Sequence, residues 1–171
     1  IFFDKLKSKK FKILYLVGSD NFEIKKSDEF VIYQGSHGDK NASIADVILP
    51  SPAYTEQNGL FENLEGRIQE CRKASYPTGE SLEDWKIFNL INYSLNSLDL
   101  FSDFSSIRKL ALLEIPNFSE IDLLPKYKES VKIKTSLEPT SEKINIKNID
   151  YYYSNTIARA SKTMSDCRNI S

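Results

Sequence analysis

The sequence predicts an α/β fold. Two observations carry this reading. Three short apolar runs near the start are each closed by Gly, Ser, Asp or Pro, and two later stretches repeat apolar residues every three or four positions behind a capping residue. Short apolar runs bounded by turns suit strands buried on both faces, as in a parallel sheet. The three-to-four spacing suits helices that bury one stripe. The 171 residues are 40% hydrophobic and 12% aromatic. A chain of this length buries roughly 70% of its unfolded surface, so a core needs no covalent staples.

Taken in order, the segment 1–10 carries Phe2, Phe3 and Leu6 at helical spacing before a basic run, and reads as the end of a helix. Phe11–Val17 is the first strand, closed by Gly18-Ser19-Asp20, and Phe30–Tyr33 is the second, ending at Gln34-Gly-Ser-His-Gly38. The third, Ala45–Leu49, stops at Pro50-Ser-Pro52, where prolines withhold ladder donors and hold the chain extended. Asn58-Gly59 and Glu65-Gly66 are turn signals, so Leu60–Asn63 and Arg67–Arg72 pair as a small hairpin or looped-out ribbon. Ser81 opens a Ser-x-x-Asp cap with Asp84, and Leu82, Trp85, Phe88, Ile91 and Leu95 form the core-facing stripe of the clearest helix. Asp103 caps a shorter helix with Phe104, Ile107, Leu110 and Leu113 inward, ended by Pro116.

Past Asp122 the composition turns to Lys, Glu, Ser and Thr, and Val131–Thr135 and Ile144–Lys147 alternate like half-exposed strands. Ile149-Asp-Tyr-Tyr-Tyr153 leads into one helix over Ser154–Cys167, with Ile157, Ala160, Ser161 and Met164 on one side. No internal repeat is present. The chain divides into a domain over residues 1–121 and an extended docking tail over 122–171 that ends in a short helix.

Charge and residue counts exclude several functions. Twenty-three basic against 24 acidic residues leave a formal charge of -1, which argues against general nucleic-acid binding. The longest apolar run, Ile13–Val17, is far short of the roughly 20 residues that span a bilayer, so no direct membrane insertion is expected. With two cysteines, Cys71 and Cys167, and one histidine, His37, this chain cannot supply four cysteines to an iron–sulfur cluster or close a zinc site. A disulfide framework is equally excluded, in keeping with a reducing compartment. The chain starts with Ile rather than Met and nothing there reads as a signal peptide. Eighteen Ile, 18 Lys and 12 Asn against 7 Ala and 5 Arg suggest an AT-rich, organellar or endosymbiont genome.

Two groups of residues hold candidate chemistry. In the Gly35-Ser-His-Gly-Asp39 loop, glycines at a strand end let backbone N–H groups approach a phosphate or pterin. The full G-x-G-x-x-G fingerprint is absent, and a tight turn with a backbone-satisfied His37 is the favoured reading. No second histidine joins His37 in a metal site. Glu56, Glu62 and Glu65 with Asn63 and Arg67 form the second group. Paired carboxylates can act as acid and base, but here a structural reading leads, with carboxylates capping their own turns and Glu65 pairing Arg67. Cys71 and Cys167 are expected to be buried thiols. The lysines over Lys5–Lys12 and Lys126–Lys147 read as solvated surface, and Tyr151–Tyr153 as either an interface anchor or a core cover. From residues and spacing alone, no catalytic, cofactor-binding or metal-ligating residue is assigned.

Beyond spacing, several motifs carry a resemblance. They are Val31-Ile-Tyr-Gln-Gly-Ser-His-Gly-Asp39, Ala45-Asp-Val-Ile-Leu-Pro50, Tyr54-Thr-Glu56, Asn58-Gly59, Asn63-Leu-Glu-Gly-Arg-Ile-Gln69, Pro77-Thr-Gly-Glu80, Glu83-Asp-Trp-Lys-Ile87, Asp150-Tyr-Tyr152 and Ile157-Ala-Arg-Ala-Ser-Lys-Thr-Met164. In this order they resemble the C-terminal region of the large iron–sulfur subunit of respiratory complex I, the NADH:ubiquinone oxidoreductase. The block from Ala45 to Gln69 is similar in looser form to molybdopterin oxidoreductases. Residues 99–147 carry little signature.

The resemblance implies a molybdopterin-oxidoreductase-like α/β domain portion over 1–121, with short parallel strands, packed helices and a docking tail. It implies a non-catalytic structural role in the peripheral arm, on the matrix side of the mitochondrial inner membrane, with iron–sulfur clusters and FMN on partner chains. The family's cluster-binding cysteines lie in an N-terminal region this sequence lacks. Either the subunit is split into two chains, which the AT-rich composition favours, or this is a fragment of a longer one. The expected partners are other peripheral-arm subunits and above all a separate N-terminal, cluster-bearing half. The alternative is the terminal piece of a true molybdopterin-dependent oxidoreductase, in which the Gly35–Asp39 loop and Asn63 touch the pterin.

Overall fold

In the computed structural model, which describes residues 11–19, 24–115, 118–124 and 150–170, the three apolar runs join in one parallel sheet. β1 (Ile13–Val17), β2 (Phe30–Gly35) and β3 (Val47–Pro50) lie side by side in chain order. Leu14 stands opposite Val31, Leu16 opposite Tyr33, and Tyr33 opposite Ile48. Alternation along each strand then sorts the side chains between the two faces. One face gathers Leu14, Leu16, Val31 and Tyr33, closed by Ile24 from the first crossover and packed by Ala42, Ile44 and Ala45 from the second. Burying each large apolar side chain contributes roughly 1.5–3 kcal/mol, so this cluster is the main source of stability in the sheet.

Polar side chains tie both crossovers to the sheet. The second crossover has only a single 3-10 turn, Ala42–Ile44. Asn41 is fully buried before it; its Oδ1 accepts from Ile24 N at 3.3 Å and its Nδ2 donates to the Ser19 carbonyl. Asp46 accepts from Lys26 Nζ at 2.5 Å and from Val31 N at 2.8 Å. The Lys26 hydrogen bond first, and the Val31 N–H second, hold its carboxyl below the usual value of 3.8. A lowered pKa contributes stability above pH 3.8 that is lost as pH falls through the folded-state value. The thermal midpoint is therefore expected to drop on acidification below that point, and Asp46→Asn is expected to flatten this part of the profile.

β3 runs one residue further than the prolines predict. Pro50 closes the strand opposite Gly35. Its carbonyl accepts from Leu82 N at 3.2 Å, and Ser51 N continues the ladder to the Gly35 carbonyl at 3.1 Å. A proline at the end of an edge strand lacks only a donor that the ladder does not require there. The hairpin forms as predicted, with β4 (Gly59–Glu62) antiparallel to β5 (Ile68–Cys71) across the Asn63–Arg67 turn.

α1 (Asp84–Asn96) lies on the other face of the sheet, where the Phe88 ring stands 5.8 Å from that of Tyr15, but the predicted stripe is only partly inward. Ile87 is its buried residue, whereas Phe88 is 42% and Leu95 77% exposed and Trp85 is half-buried, its Nε1–H donating to Glu83 Oε2 at 2.7 Å. The cause is polar. Gln34 Nε2 donates to Asp84 Oδ1 at 2.6 Å, which turns the face holding Asp84, Ile87 and Ile91 toward the strands. Leu49, Ile87, Leu90 and Ile91 line a small apolar cavity of about 160 Å³ between β3 and the helix. Glu83, not Ser81, stands at the helix start; Ser81 Oγ instead donates to the Thr78 carbonyl at 2.8 Å.

α2 (Phe104–Glu114) has the predicted cap, with Asp103 accepting from Ser106 N at 2.8 Å. Phe104 and Ile107 are half-buried, but Leu110 and Leu113 are exposed. From the same helix Arg108 reaches Glu70 on β5 at 3.3 Å. The single helix predicted over Ser154–Cys167 is two, α3 (Thr156–Ala160) and α4 (Lys162–Ile170), after a 3-10 turn at Tyr151–Tyr153. The break falls at Ser161, which is extended (ψ 121) and whose hydroxyl accepts from Met164 N at 3.4 Å. A serine that satisfies the next helix's first amides competes with continuing the previous one.

The predicted opening helix and the strands Val131–Thr135 and Ile144–Lys147 lie outside the described residues. Among the described residues, no helix is long and apolar enough to cross a membrane.

Candidate functional site at the strand ends

Parallel strands in chain order bring their carboxyl ends to one edge of the sheet, where open α/β sheets hold ligands. Here that edge is built from Gly18-Ser19 after β1, Gly35–Asp39 after β2, and Ser51–Glu56 after β3. Gly18 N donates to the Gln34 carbonyl at 2.8 Å, drawing the first loop against the second strand. Gly38 takes φ +53, a left-handed conformation that favours glycine, and so turns the His37 loop back toward the crossover.

The side chains of this edge are bonded largely to one another. Gln34 is fully buried; its Oε1 accepts from the Tyr15 hydroxyl and its Nε2 donates to Asp84. Asp84 Oδ2 in turn accepts from Gln57 Nε2 at 3.3 Å. Tyr15 is pushed above its ordinary 10.0, first by burial and then by the Asp84 charge. His37 Nδ1 contacts Ser36 Oγ at 2.8 Å at the exposed tip of the loop. Asp39 pairs with Arg159 of α3, 120 positions later. The loop bends at Ser36 and His37, and His37 is partnered by the Ser36 side chain and not by backbone as expected.

The second candidate group separates into local roles. Glu56 caps its own 3-10 turn, accepting from Ala53 N at 3.1 Å and from Thr78 Oγ1 at 3.2 Å. Asn63 Oδ1 accepts from Glu65 N at 3.0 Å and Arg67 N at 2.9 Å, closing the hairpin turn. Arg67 pairs with Asp122 at 3.8 Å rather than with the expected Glu65, because the segment after α2 returns to β5 and donates Asp122 N to the Ile68 carbonyl at 2.7 Å. Glu62 and Glu65 are exposed. Asn63→Ala removes the acceptor of two turn amides and is expected to cost about 1 kcal/mol, read as a lower urea midpoint.

The cysteines depart from expectation. Cys71 is half-buried with Sγ 3.5 Å from the Tyr54 carbonyl, and Cys167 is exposed on α4. Both sit where the core does not reach, on a two-stranded ribbon and a short surface helix. Among the described residues no three His, Cys, Asp or Glu side chains cluster in a way that could hold a metal ion.

A pterin with its phosphate fits these strand ends poorly. The loop presents the Asp39 carboxylate, which repels phosphate, and the Arg159 guanidinium is already committed to it. Gln34 and Asn41 spend their amides on protein partners. The residues missed by sequence reasoning are these structural ones, Gln34, Asn41, Asp46 and Asp84. A polar residue within an apolar strand was the available signal for Gln34.

Comparison with known proteins places this architecture. The molybdopterin oxidoreductase family model matches residues 2–92. The chain is 36% identical over 160 residues to the NADH-ubiquinone oxidoreductase 75 kDa subunit of Reclinomonas americana, covering 92% of this chain and 23% of that protein. It is 42% identical over 173 residues to the mitochondrial NADH-ubiquinone oxidoreductase 78 kDa subunit of Candida albicans, covering 94% and 24%. With a bacterial NADH-quinone oxidoreductase subunit, from Rickettsia bellii, it shares 40% identity over 160 residues, covering 91% and 23%. The chain thus spans about a quarter of the length of these curated relatives. Its parallel strands and packed helices agree with the matched family, and more than half of its residues fall within that match, so the chain belongs to the molybdopterin oxidoreductase family.

Proposed function

We propose that this chain is a non-catalytic scaffold portion of the large iron–sulfur subunit of NADH-ubiquinone oxidoreductase. On this reading it lies in the peripheral arm on the matrix side of the mitochondrial inner membrane, supporting electron transfer from NADH to ubiquinone coupled to proton pumping. Residues 1–121 form the family's α/β domain portion, and 122–171 the tail that meets neighbouring subunits. Flavin and iron–sulfur clusters are carried by partner portions. The observation that carries the reading is similarity over more than nine-tenths of the chain to relatives named as subunits of that oxidoreductase. The strand-end edge supports the structural role, since its polar groups are bonded within the chain.

The test is to tag this chain, solubilise membranes gently, and stain native gels for NADH dehydrogenase activity. Co-migration with the active complex is expected. Mass spectrometry of the band then finds the cluster-bearing portion on a separate polypeptide, as the split-subunit expectation requires, or on the same one. A second reading, part of a molybdopterin-dependent enzyme, draws on the name of the matched family. Migration in a smaller assembly that contains molybdenum and lacks NADH dehydrogenase activity would establish it and overturn the first.

A further inference from the structure

Two motifs singled out in the sequence, Gly35-Ser-His-Gly-Asp39 and Ile157-Ala-Arg-Ala160, lie more than a hundred residues apart and meet in the structure at one ion pair. We propose that the segment Asp150–Ile170 is a strap across the strand-end edge, that the Asp39–Arg159 pair fastens it, and that loss of either charge releases it as a unit.

Three observations support this. The pair is shielded, with both side chains about four-fifths buried (20% and 24% exposed), so it is screened less by salt than an open surface pair. Among the described residues Arg159 has little else to hold: Nη1 donates to the Tyr153 carbonyl at 3.1 Å, within the strap itself, and Nη2 is buried without an acceptor. Asp39, for its part, sits behind Gly38, whose left-handed φ of +53 sets the direction in which the loop leaves β2.

The strap also braces itself. Asp150 accepts from Tyr152 N at 3.1 Å and pairs with Arg168 at 2.7 Å, and the Arg168 guanidinium stands 4.7 Å above the Tyr153 ring. Asn155 caps α3 by accepting from Ala158 N at 2.9 Å. Contacts within the segment therefore survive loss of Asp39, which is why it leaves as a unit and does not unravel. The inference goes beyond the assembly role proposed above and does not depend on it.

Hydrogen exchange read by mass spectrometry tests the fastening, on the full chain in the assembly from which it is isolated. Arg159→Gln and Asp39→Asn are each expected to speed exchange at α3 and α4 amides by roughly fivefold or more. Peptides covering β1 and β2 should keep their protection. The exchanged pair, Asp39→Arg with Arg159→Asp, should recover most of the wild-type rate. Unchanged strap protection in both single variants would overturn the proposal, as would equal loss across the sheet, which marks a folding defect and not a release. Where those variants do not accumulate, Arg159→Lys, which keeps the charge and gives up the Nε–H that Asp39 accepts, gives the second reading. Selective acceleration of the strap supports the fastening, and strap exchange at the wild-type rate contradicts it.

Discussion

Tyr33→Ala is expected to lower stability by about 3–5 kcal/mol, the range for deleting a large aromatic side chain from a packed core. Tyr33 is fully buried on the central strand, with Leu14, Leu16, Ile24 and Val31 around it. β2 is the only strand of this sheet paired on both sides among the described residues, so the cavity opens where both neighbours depend on it. Gly35→Ala probes the same packing from the opposite direction. A Cβ there would stand 2.7 and 2.8 Å from Cζ and Cε1 of the Tyr33 ring, and overpacking of that kind costs about 1–3 kcal/mol. Urea unfolding of the full chain measures both. A Tyr33→Ala loss below about 1 kcal/mol would mean that the stabilising core lies elsewhere.

Gln34→Leu is expected to cost about 2–4 kcal/mol, although it adds apolar surface to a buried site. The substitution leaves the Tyr15 hydroxyl without its acceptor and Asp84 Oδ1 without the Gln34 amide, with only the longer Gln57 contact to Oδ2 remaining, and each lost partner in this half-buried network carries a desolvation penalty. The loss should be larger than for Asn63→Ala, whose turn lies in solvent. The same network gives an alkaline signature. A tyrosine pKa raised in the fold contributes stability that is complete below the unfolded value of 10.0 and is lost as pH rises through the folded value. Stability should therefore decline above about pH 10. Tyr15→Phe should remove that part of the decline, and an unaltered alkaline limb would show that Tyr15 is not its source.

Strand identity was legible because it is encoded locally. Ile13–Val17, Phe30–Gly35 and Val47–Pro50 each lie within two residues of the apolar runs that announced them, since apolar content and a closing Gly or Pro are properties of a few neighbouring residues. The Asp103 cap and the Asn63–Arg67 turn were legible for the same reason. The candidate site was legible only as a loop. That Asp39 faces an arginine 120 positions away, and that Arg67 finds Asp122 in preference to Glu65, depends on where separate segments return in space.

Helix rotation shows the boundary most clearly. Periodicity marked Asp84–Asn96 as helical with Leu82, Trp85, Phe88, Ile91 and Leu95 inward, but the folded helix buries Ile87, keeps Ile91 and Phe88 beside the sheet and leaves Leu95 exposed. A polar contact, Asp84 to Gln34, anchors that rotation at the helix start. Local patterns were enough for the order of elements, the parallel α/β class and the family, because these rest on stretches a few residues long and on motifs read in order. Which face each helix buries, where Ser161 splits the last helix, and which charges meet were settled only in the folded chain. Those outcomes are set by competition among contacts far apart in the chain, and no local pattern records the result.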